Sequence, residues 1–510
     1  MKTLRLALAP LALLLLVSSS TTADEKSVNP KIAKIVEEVN EGRIKAIIAK
    51  LVSFETRNTM SAQDDPVRGI GAARQWIFNE FKSYSPRLEV KFDKYRVKKQ
   101  GQRIFKDVDL WNVIAVLPGK KFPETQIIVS AHYDSLNLGT RPAGQAAGPG
   151  NEAAPVPIGE RPQLTPADYE KNANLPAPGA CDDGSGTSAV MELARVMSQY
   201  EFDKTIVFVA FAGEEQGLVG SNLLAAKSKK ENVQIEAVLN NDIIGTDVSG
   251  NGRMSNNSVS VFSDEAMDSV NQQLARYVRE IGQRYIPSFK VDTVFMQDRL
   301  GRGGDHTPFQ LEGFAAVRIS TPNENYQHQH RATDFLENMS VPYTTRVAKM
   351  NAAVAASLAL APKAPLVTRA PGAGGGARGG AAPTDAAAPA PADGGARAGR
   401  AGNAAGATGG AGRGRGPMIS RGGGYDAVLQ WRANGSDADI KGYSILVRPT
   451  TSAYWEQEIY VGKATQYTLK DVSIDDAKFG VKAIGIDGTE SLVTTYSYPP
   501  RQKTQIETVE

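Results

Sequence analysis

Eight residues have the types and placement to do chemistry together: His132, Asp182, Asp183, Glu214, Glu215, Asp242, His328 and His330. The chain's fourth histidine, His306, follows Asp305 in a second glycine-rich stretch. Asp182 and Asp183 are adjacent in Gly179-Ala180-Cys181-Asp182-Asp183-Gly184-Ser185-Gly186, just before an amphipathic run. A buried acidic pair needs a charge partner, because an unpaired buried carboxylate is very costly. That turn contains no Lys or Arg, which makes a metal ion the leading candidate. Imidazole and carboxylate donors without thiolate suit zinc, and less often cobalt or manganese. Two zinc ions can sit about 3.5–4 Å apart if one carboxylate bridges them. Cys181 is the single cysteine, so no internal disulfide forms, and it reads as a small apolar filler under the turn.

The elements that must position these residues follow from the hydrophobic patterning. A helical pattern runs from Ile32 through Leu51 and is ended by Thr56-Arg57, and a second helix is expected over Gly69–Tyr84. Strands follow near Leu88–Tyr95 and Asp109–Leu117. The short apolar run 126–130 suits a central buried strand and ends at His132-Tyr133-Asp134-Ser135. After a Gly/Pro/Ala-rich loop over 136–178 comes the Asp182-Asp183 turn and its helix, Ser188–Tyr200. Strand Thr205–Phe211 leads into Glu214-Glu215-Gln216-Gly217, and strand Ile235–Leu239 into Asn241-Asp242. Ser263 is placed to cap a longer helix that reaches about Gln283, with Asp264 and Glu265 at its positive end. Phe314–Ile319 is strand-like, and Pro342 suits the first turn of a last helix through about Leu360. Strands alternating with helices give an α/β domain, a mostly parallel mixed sheet flanked by helices. In such sheets ligands bind at the carboxyl ends of strands. His132, the Glu214-Glu215 pair and Asp242 all fall there, which argues for one shared site.

At 510 residues with 41% hydrophobic residues, the chain has room for two or more domains. Lys2 and Arg5 precede the apolar run Leu6–Val17, and a small-residue region ends near Ala23. Residues 1–23 read as a secretory signal, so the protein is expected to be secreted or periplasmic. That run is too short for a membrane span of about 20 residues, and no later stretch is long and apolar enough. Residues 24–362 form the catalytic domain. Residues 363–424 are rich in Ala, Gly, Pro and Arg and read as a flexible linker. The formal charge of +3 is misleading, because residues 367–424 carry seven Arg against two Asp and the leader carries two basic residues. The folded portion is mildly acidic, so the basic balance implies no nucleic-acid-binding face. Residues 425–500 change to short strands and turns, with Trp431 and Tyr443 as core aromatics, a small β-sandwich.

Five motifs stand in order: His132-Tyr133-Asp134-Ser135, Gly179 to Gly186, Glu214-Glu215-Gln216-Gly217, Asn241-Asp242, and His330 four residues before Asp334. Through them residues 40–360 resemble the co-catalytic di-zinc aminopeptidases of metallopeptidase family twenty-eight, relatives of glutamate carboxypeptidase and the transferrin receptor. The resemblance implies two zinc ions per chain. His132 and Asp242 would bind the first, Glu215 and His330 the second, and Asp182 would bridge them across a cis bond to Asp183. Glu214 would be the general base and Asp134 the partner of His132's other ring nitrogen. Between His328 and His330 the spacing to Asp334 favours His330. Asp183, His306, Tyr326 and His328 remain as supporting or substrate-contacting candidates. Many relatives carry Tyr just before the final His; Gln329 stands there in this chain, and Tyr326 is the substitute expected to help hold the carbonyl oxygen. The C-terminal region resembles a fibronectin type III module through Trp431, Gly442-Tyr443, Tyr467-Thr468-Leu469 and Gly488. Polymer or surface contact and simple spacing are both open as its role.

The expectation is an exported zinc exopeptidase acting on peptide substrates, foremost an aminopeptidase. A carboxypeptidase or dipeptidase, or a one-zinc glutaminyl cyclase, would use the same fold. A non-catalytic adhesion protein would be expected to have lost ligands, and all five proposed ligand positions are present.

Overall fold

The computed structural model describes residues 28–139, 164–368, 420–421 and 425–496. The leader, most of the 136–178 loop and most of the linker lie outside the described residues. No helix among the described residues is long and apolar enough to cross a membrane.

The N-terminal helical pattern is split in two. Asn40 accepts a hydrogen bond from Arg43 N and caps a new helix, so α1 (Pro30–Glu37) ends before α2 (Glu41–Val52). Helix α3 spans Gly69–Tyr84 as its pattern predicts. An eight-stranded sheet is built from β1 (Glu89–Val97), β2 (Val108–Leu117), β3 (Phe122–His132), β4 (Lys204–Phe211), β5 (Gln234–Asn241), β6 (Ser258–Phe262), β7 (Lys290–Val294) and β8 (Ala316–Ser320). Its order is β1-β2-β4-β3-β5-β8-β6-β7. The central four, β4-β3-β5-β8, are parallel, and antiparallel pairings flank them at β2/β4 and β6/β8.

The parallel strands are buried on both faces, which is why they read as continuous apolar runs. Every residue of β4 is buried. Alternate residues of β3 feed two cores. Ile127 and Val129 pack with α5 (Gly184–Met197) and α9 (Val341–Leu360), while Ile128 packs with Phe309 of α8 (His306–Leu311) and Ala225 of α6 (Val219–Lys230). Helix α4 (Pro166–Asn172), with a Thr165 capping box, falls inside the stretch read as structureless. Helix α7 runs Val270–Tyr285, with Ser269 accepting from Gln272 N at its start. Ser263 does not cap it. Its backbone N–H pairs with the carbonyls of Val294 and Met296, and Asp264 instead accepts from Ser269 Oγ and Asn271.

The C-terminal region is two antiparallel four-stranded sheets. One joins β9 (Leu366–Thr368), β10 (Ser420–Arg421), β11 (Ala427–Arg432) and β14 (Gln466–Leu469). The other joins β12 (Ile440–Pro449), β13 (Gln457–Tyr460), β15 (Ala477–Gly485) and β16 (Thr494–Thr495). Trp431 and Tyr443 meet edge-on in its core, with ring centroids 5.8 Å apart. β9 belongs to this unit, so the linker does not begin at 363: residues 366–368 already pair with β11. The sandwich is seated against α7. Glu490 sits between Arg284 and Lys482, and Arg448 pairs with Asp268 at 2.6 Å.

Candidate metal centre

One edge of the sheet assembles the site. β3 ends at His132, β4 leads into Glu214-Glu215, β5 delivers Asp242, and the turn after β8 carries His330. The Asp182-Asp183 turn enters from the N-terminus of α5.

His132 Nε2 lies 3.3 Å from Asp182 Oδ1 and 3.8 Å from Asp242 Oδ1. His330 Nε2 lies 3.0 Å from Asp182 Oδ2 and 3.0 Å from Glu215 Oε1. Asp182 therefore turns one oxygen toward each histidine, as a bridging carboxylate must. Potential donor atoms gather in two groups, each within 4.8 Å: His132, Glu214 and Asp242, and Asp182, Glu215 and His330. Of the two histidines near the C-terminal end of the site, His330 is the one that joins. His328 is turned aside, with its Nδ1 3.0 Å from Thr333 Oγ1.

The surrounding bonds fix these groups. His132 Nδ1 faces Asp134 through its backbone oxygen at 3.1 Å and its carboxylate at 3.5 Å. The Asp134 carboxylate accepts from the backbone N–H groups of Glu214 and Glu215 and from Thr59 Oγ1. One residue thus orients His132 and the acidic pair together. Asp183 is fully buried and joins neither donor group. Its carboxylate caps α5 through Gly186 N and accepts from Ile243 N and His132 N, tying three motifs together. The Asp182–Asp183 bond is cis.

The donor set fits a divalent metal. Glu215 Oε1 approaches His330 Nε2 yet has no aligned hydrogen-bond partner. Burial works to lower His132 and His330, but the carboxylates around them carry both well above the usual imidazole range. Burial raises Glu214 well above the carboxylate range, and Asp242, Glu215 and Asp305 add to the shift. Burial likewise carries Asp305 to about 7. Protons are held here where cations would otherwise compensate the charge.

Several supporting residues escape sequence reasoning. Burial opposes the ionised form of Asp242, but Arg318 and His132 hold it down at about 2. Arg318 is buried, with Nη2 3.0 Å from Asp242 Oδ1 and Nη1 2.6 Å from Asp298 Oδ2. Arg57, fully buried, donates to the carbonyls of Tyr133, Leu51, Pro178 and Gly179 and so staples the His132 loop to the Asp182 turn. Asp334 accepts from the backbone N–H groups of Cys181 and Asp182. Arg318 had a visible signal, a lone charge inside an apolar strand run; Arg57 had none beyond its position.

One expectation changes. Tyr326 is 63% exposed and makes no hydrogen bond to the site, so it does not take the carbonyl-holding position. Gln329 does reach the centre, donating from Nε2 to Asp182 Oδ2 at 3.1 Å. His306 supports the loop before it: it opens α8 buried, its Nε2 is bonded to Gln297 O at 2.7 Å, and burial pushes it down to about 4. Cys181 is filler as expected, its thiol pushed up by burial and 3.0 Å from Thr246 Oγ1.

Residues 112–355 match the model of Peptidase family M28. A protein of Pyricularia oryzae named "Probable zinc metalloprotease" is 34% identical over 90% of this chain and 82% of its own length. One of Leptosphaeria maculans with a similar name is 30% identical over 92% of this chain and 97% of its own. Among solved structures, the LapA aminopeptidase of Legionella pneumophila aligns with TM-score 0.47 at 20% identity, covering 66% of this chain and 76% of that one. The converging imidazole and carboxylate donors, the family match across the catalytic sheet and relatives spanning nine-tenths of the chain make this protein a zinc metallopeptidase of peptidase family M28.

Proposed function

We propose that the protein is an exported aminopeptidase that holds two zinc ions and removes N-terminal residues from peptides. The observation that carries the two-ion reading is Asp182, whose two oxygens face His132 and His330 separately. His132 and Asp242 would hold one ion, Glu215 and His330 the other. Zinc bound there supplies a Lewis acid that lowers the pKa of a bound water to about 7.

Glu214 is the general base. It stands beside His132 and Asp242 without being needed as the bridge, placed to take a proton from water and pass it to the leaving amine. Asp134 keeps Glu214 in place through its backbone N–H. Gln329 offers an amide donor at the position before His330. Export rests on the leader over residues 1–23.

A panel of peptides with free and blocked N-termini tests the reading. Release of the first residue only from free N-termini is expected. Release from the C-terminus, or cleavage of blocked peptides at equal rate, would replace it with carboxypeptidase or dipeptidase action. Cyclisation of N-terminal Gln without hydrolysis would replace it with glutaminyl cyclase chemistry.

A further inference from the structure

We infer that the C-terminal sandwich is a positioning element of the metal centre: its 450–455 turn clamps the segment 293–305, which holds Arg318 and through it Asp242. The inference rests on the two-ion reading above.

The clamp is built mostly from Tyr454. Its hydroxyl lies 2.6 Å from Thr293 Oγ1, its ring 6.3 Å from that of Phe295, and the Arg279 guanidinium lies 4.1 Å over the Tyr454 ring. Arg276 closes the contact from the α7 side. Its Nε donates to Ala453 O at 2.7 Å, and its guanidinium stacks 4.9 Å over Phe295. Only Met296 and Gln297 separate Phe295 from Asp298, so the clamp lies within about 10 Å of chain from the carboxylate that holds Arg318. Arg318 Nη1 also donates to Gly303 O at 3.1 Å, so the segment holds the guanidinium at two points.

The segment has little core of its own. Met296 is 43% exposed and Leu300 95% exposed, and Gly301, Gly303 and Gly304 lie between Leu300 and Asp305. Such a stretch takes its position from its anchors rather than from internal packing. Its anchors are His306 through Gln297 O, the Ser263 N–H on Met296 O, Glu324 paired with Arg299 and Arg302, and the sandwich. The geometry it fixes bears on the ion. Asp242 Oδ1, the oxygen facing His132, is also the one that meets Arg318, so a shift of the guanidinium changes what that oxygen can offer a cation.

The test is a chelator-competition zinc titration of the full chain, comparing Tyr454→Ala, Tyr454→Phe and Glu490→Gln with the unaltered protein. Outer partners of metal ligands typically change affinity by 10–100-fold. Tyr454→Ala is expected to shift the weaker or the tighter of the two zinc steps by about tenfold while leaving the other within twofold. Tyr454→Phe, which keeps the ring and loses the bond to Thr293, should fall between. Glu490→Gln loosens the same interface far from segment 293–305, and should lower the melting temperature without changing either step. Equal weakening of both steps, no change in Tyr454→Ala, or an equal shift in Glu490→Gln would each overturn the inference. If the unaltered protein binds no zinc, the metal reading fails separately. The clamp is then judged by hydrogen exchange over 295–305: faster exchange in Tyr454→Ala upholds it, and unchanged exchange overturns it.

Discussion

Replacing Arg318 with methionine removes a buried cation shared by two carboxylates, and its cost should depend on whether zinc is present. The guanidinium stands 3.0 Å from Asp242 Oδ1 and 2.6 Å from Asp298 Oδ2, and it is 1% exposed. At an effective dielectric near 20, each pair gains about 4 kcal/mol between charge centres roughly 4 Å apart. Desolvation of the three ions offsets much of that gain, and removing one partner of a buried pair typically costs about 3–5 kcal/mol. For a catalytic domain of this size that is a fall of about 6–10 °C in melting temperature, at roughly 2 °C per kcal/mol. The methionine keeps most of the side-chain volume, so the charge dominates the change. A bound dication compensates Asp242 directly, and Asp298 keeps a bond to Arg299 Nε at 3.0 Å. With saturating zinc the fall should therefore shrink to about half or less. Melting curves of both proteins in excess chelator and in excess zinc give the four values needed. An equal fall in both conditions would mean that Arg318 and the ion do not share Asp242, and the reasoning would be refuted.

Other expectations follow from the same geometry. Glu214→Gln should lower kcat by about 10²–10⁴-fold with zinc content unchanged, measured on aminoacyl anilides and by elemental analysis; full activity would remove Glu214 from the base role. His330→Ala should lose zinc while His328→Ala keeps it, because only His330 meets Asp182 and Glu215. In metal-free protein His132 and His330 are raised, against the effect of burial, by the carboxylates around them, and burial carries Asp305 and Asp334 to about 7. Folded groups with raised pKa values contribute stability that is complete below their unfolded values and lost as pH rises through the folded ones. The metal-free protein should thus melt at a lower temperature at pH 8 than at pH 6, and zinc should add more stability at pH 8; a metal-free protein that gains stability over that interval contradicts the assignment.

The catalytic edge was legible because its strands are buried on both faces. Apolar runs ending in His132, in Glu214-Glu215 and in Asp242 mark the carboxyl ends of β3, β4 and β5. The sheet's far side was not. β6 and β7 are five residues each and interleave Ser, Asp and Thr with Val, so neither makes a run long enough to stand out. The sequence pattern places Ser263 as the cap of α7, but its N–H is taken up by Val294 O and Met296 O, and Ser269 caps the helix instead. Tyr326 has the right distance in sequence to His330 but the wrong direction in space, since the turn between them leaves it in solvent. The pairing of Arg318 with Asp298 spans 20 residues and that of Arg57 with Gly179 O spans 122, so no local pattern encodes either partner. The docking of the sandwich on α7 is of the same kind. Its ion pairs, Arg448 with Asp268 and Glu490 with Arg284, join segments about 180 and 206 residues apart.

Two ions in one site require Asp182 as their bridge. Zinc content of the purified, remetallated full chain, measured by elemental analysis against protein concentration, tests this most directly. Two zinc ions per chain are predicted, falling below two in Asp182→Asn. One ion per chain in the unaltered protein, or only a trace, would contradict it.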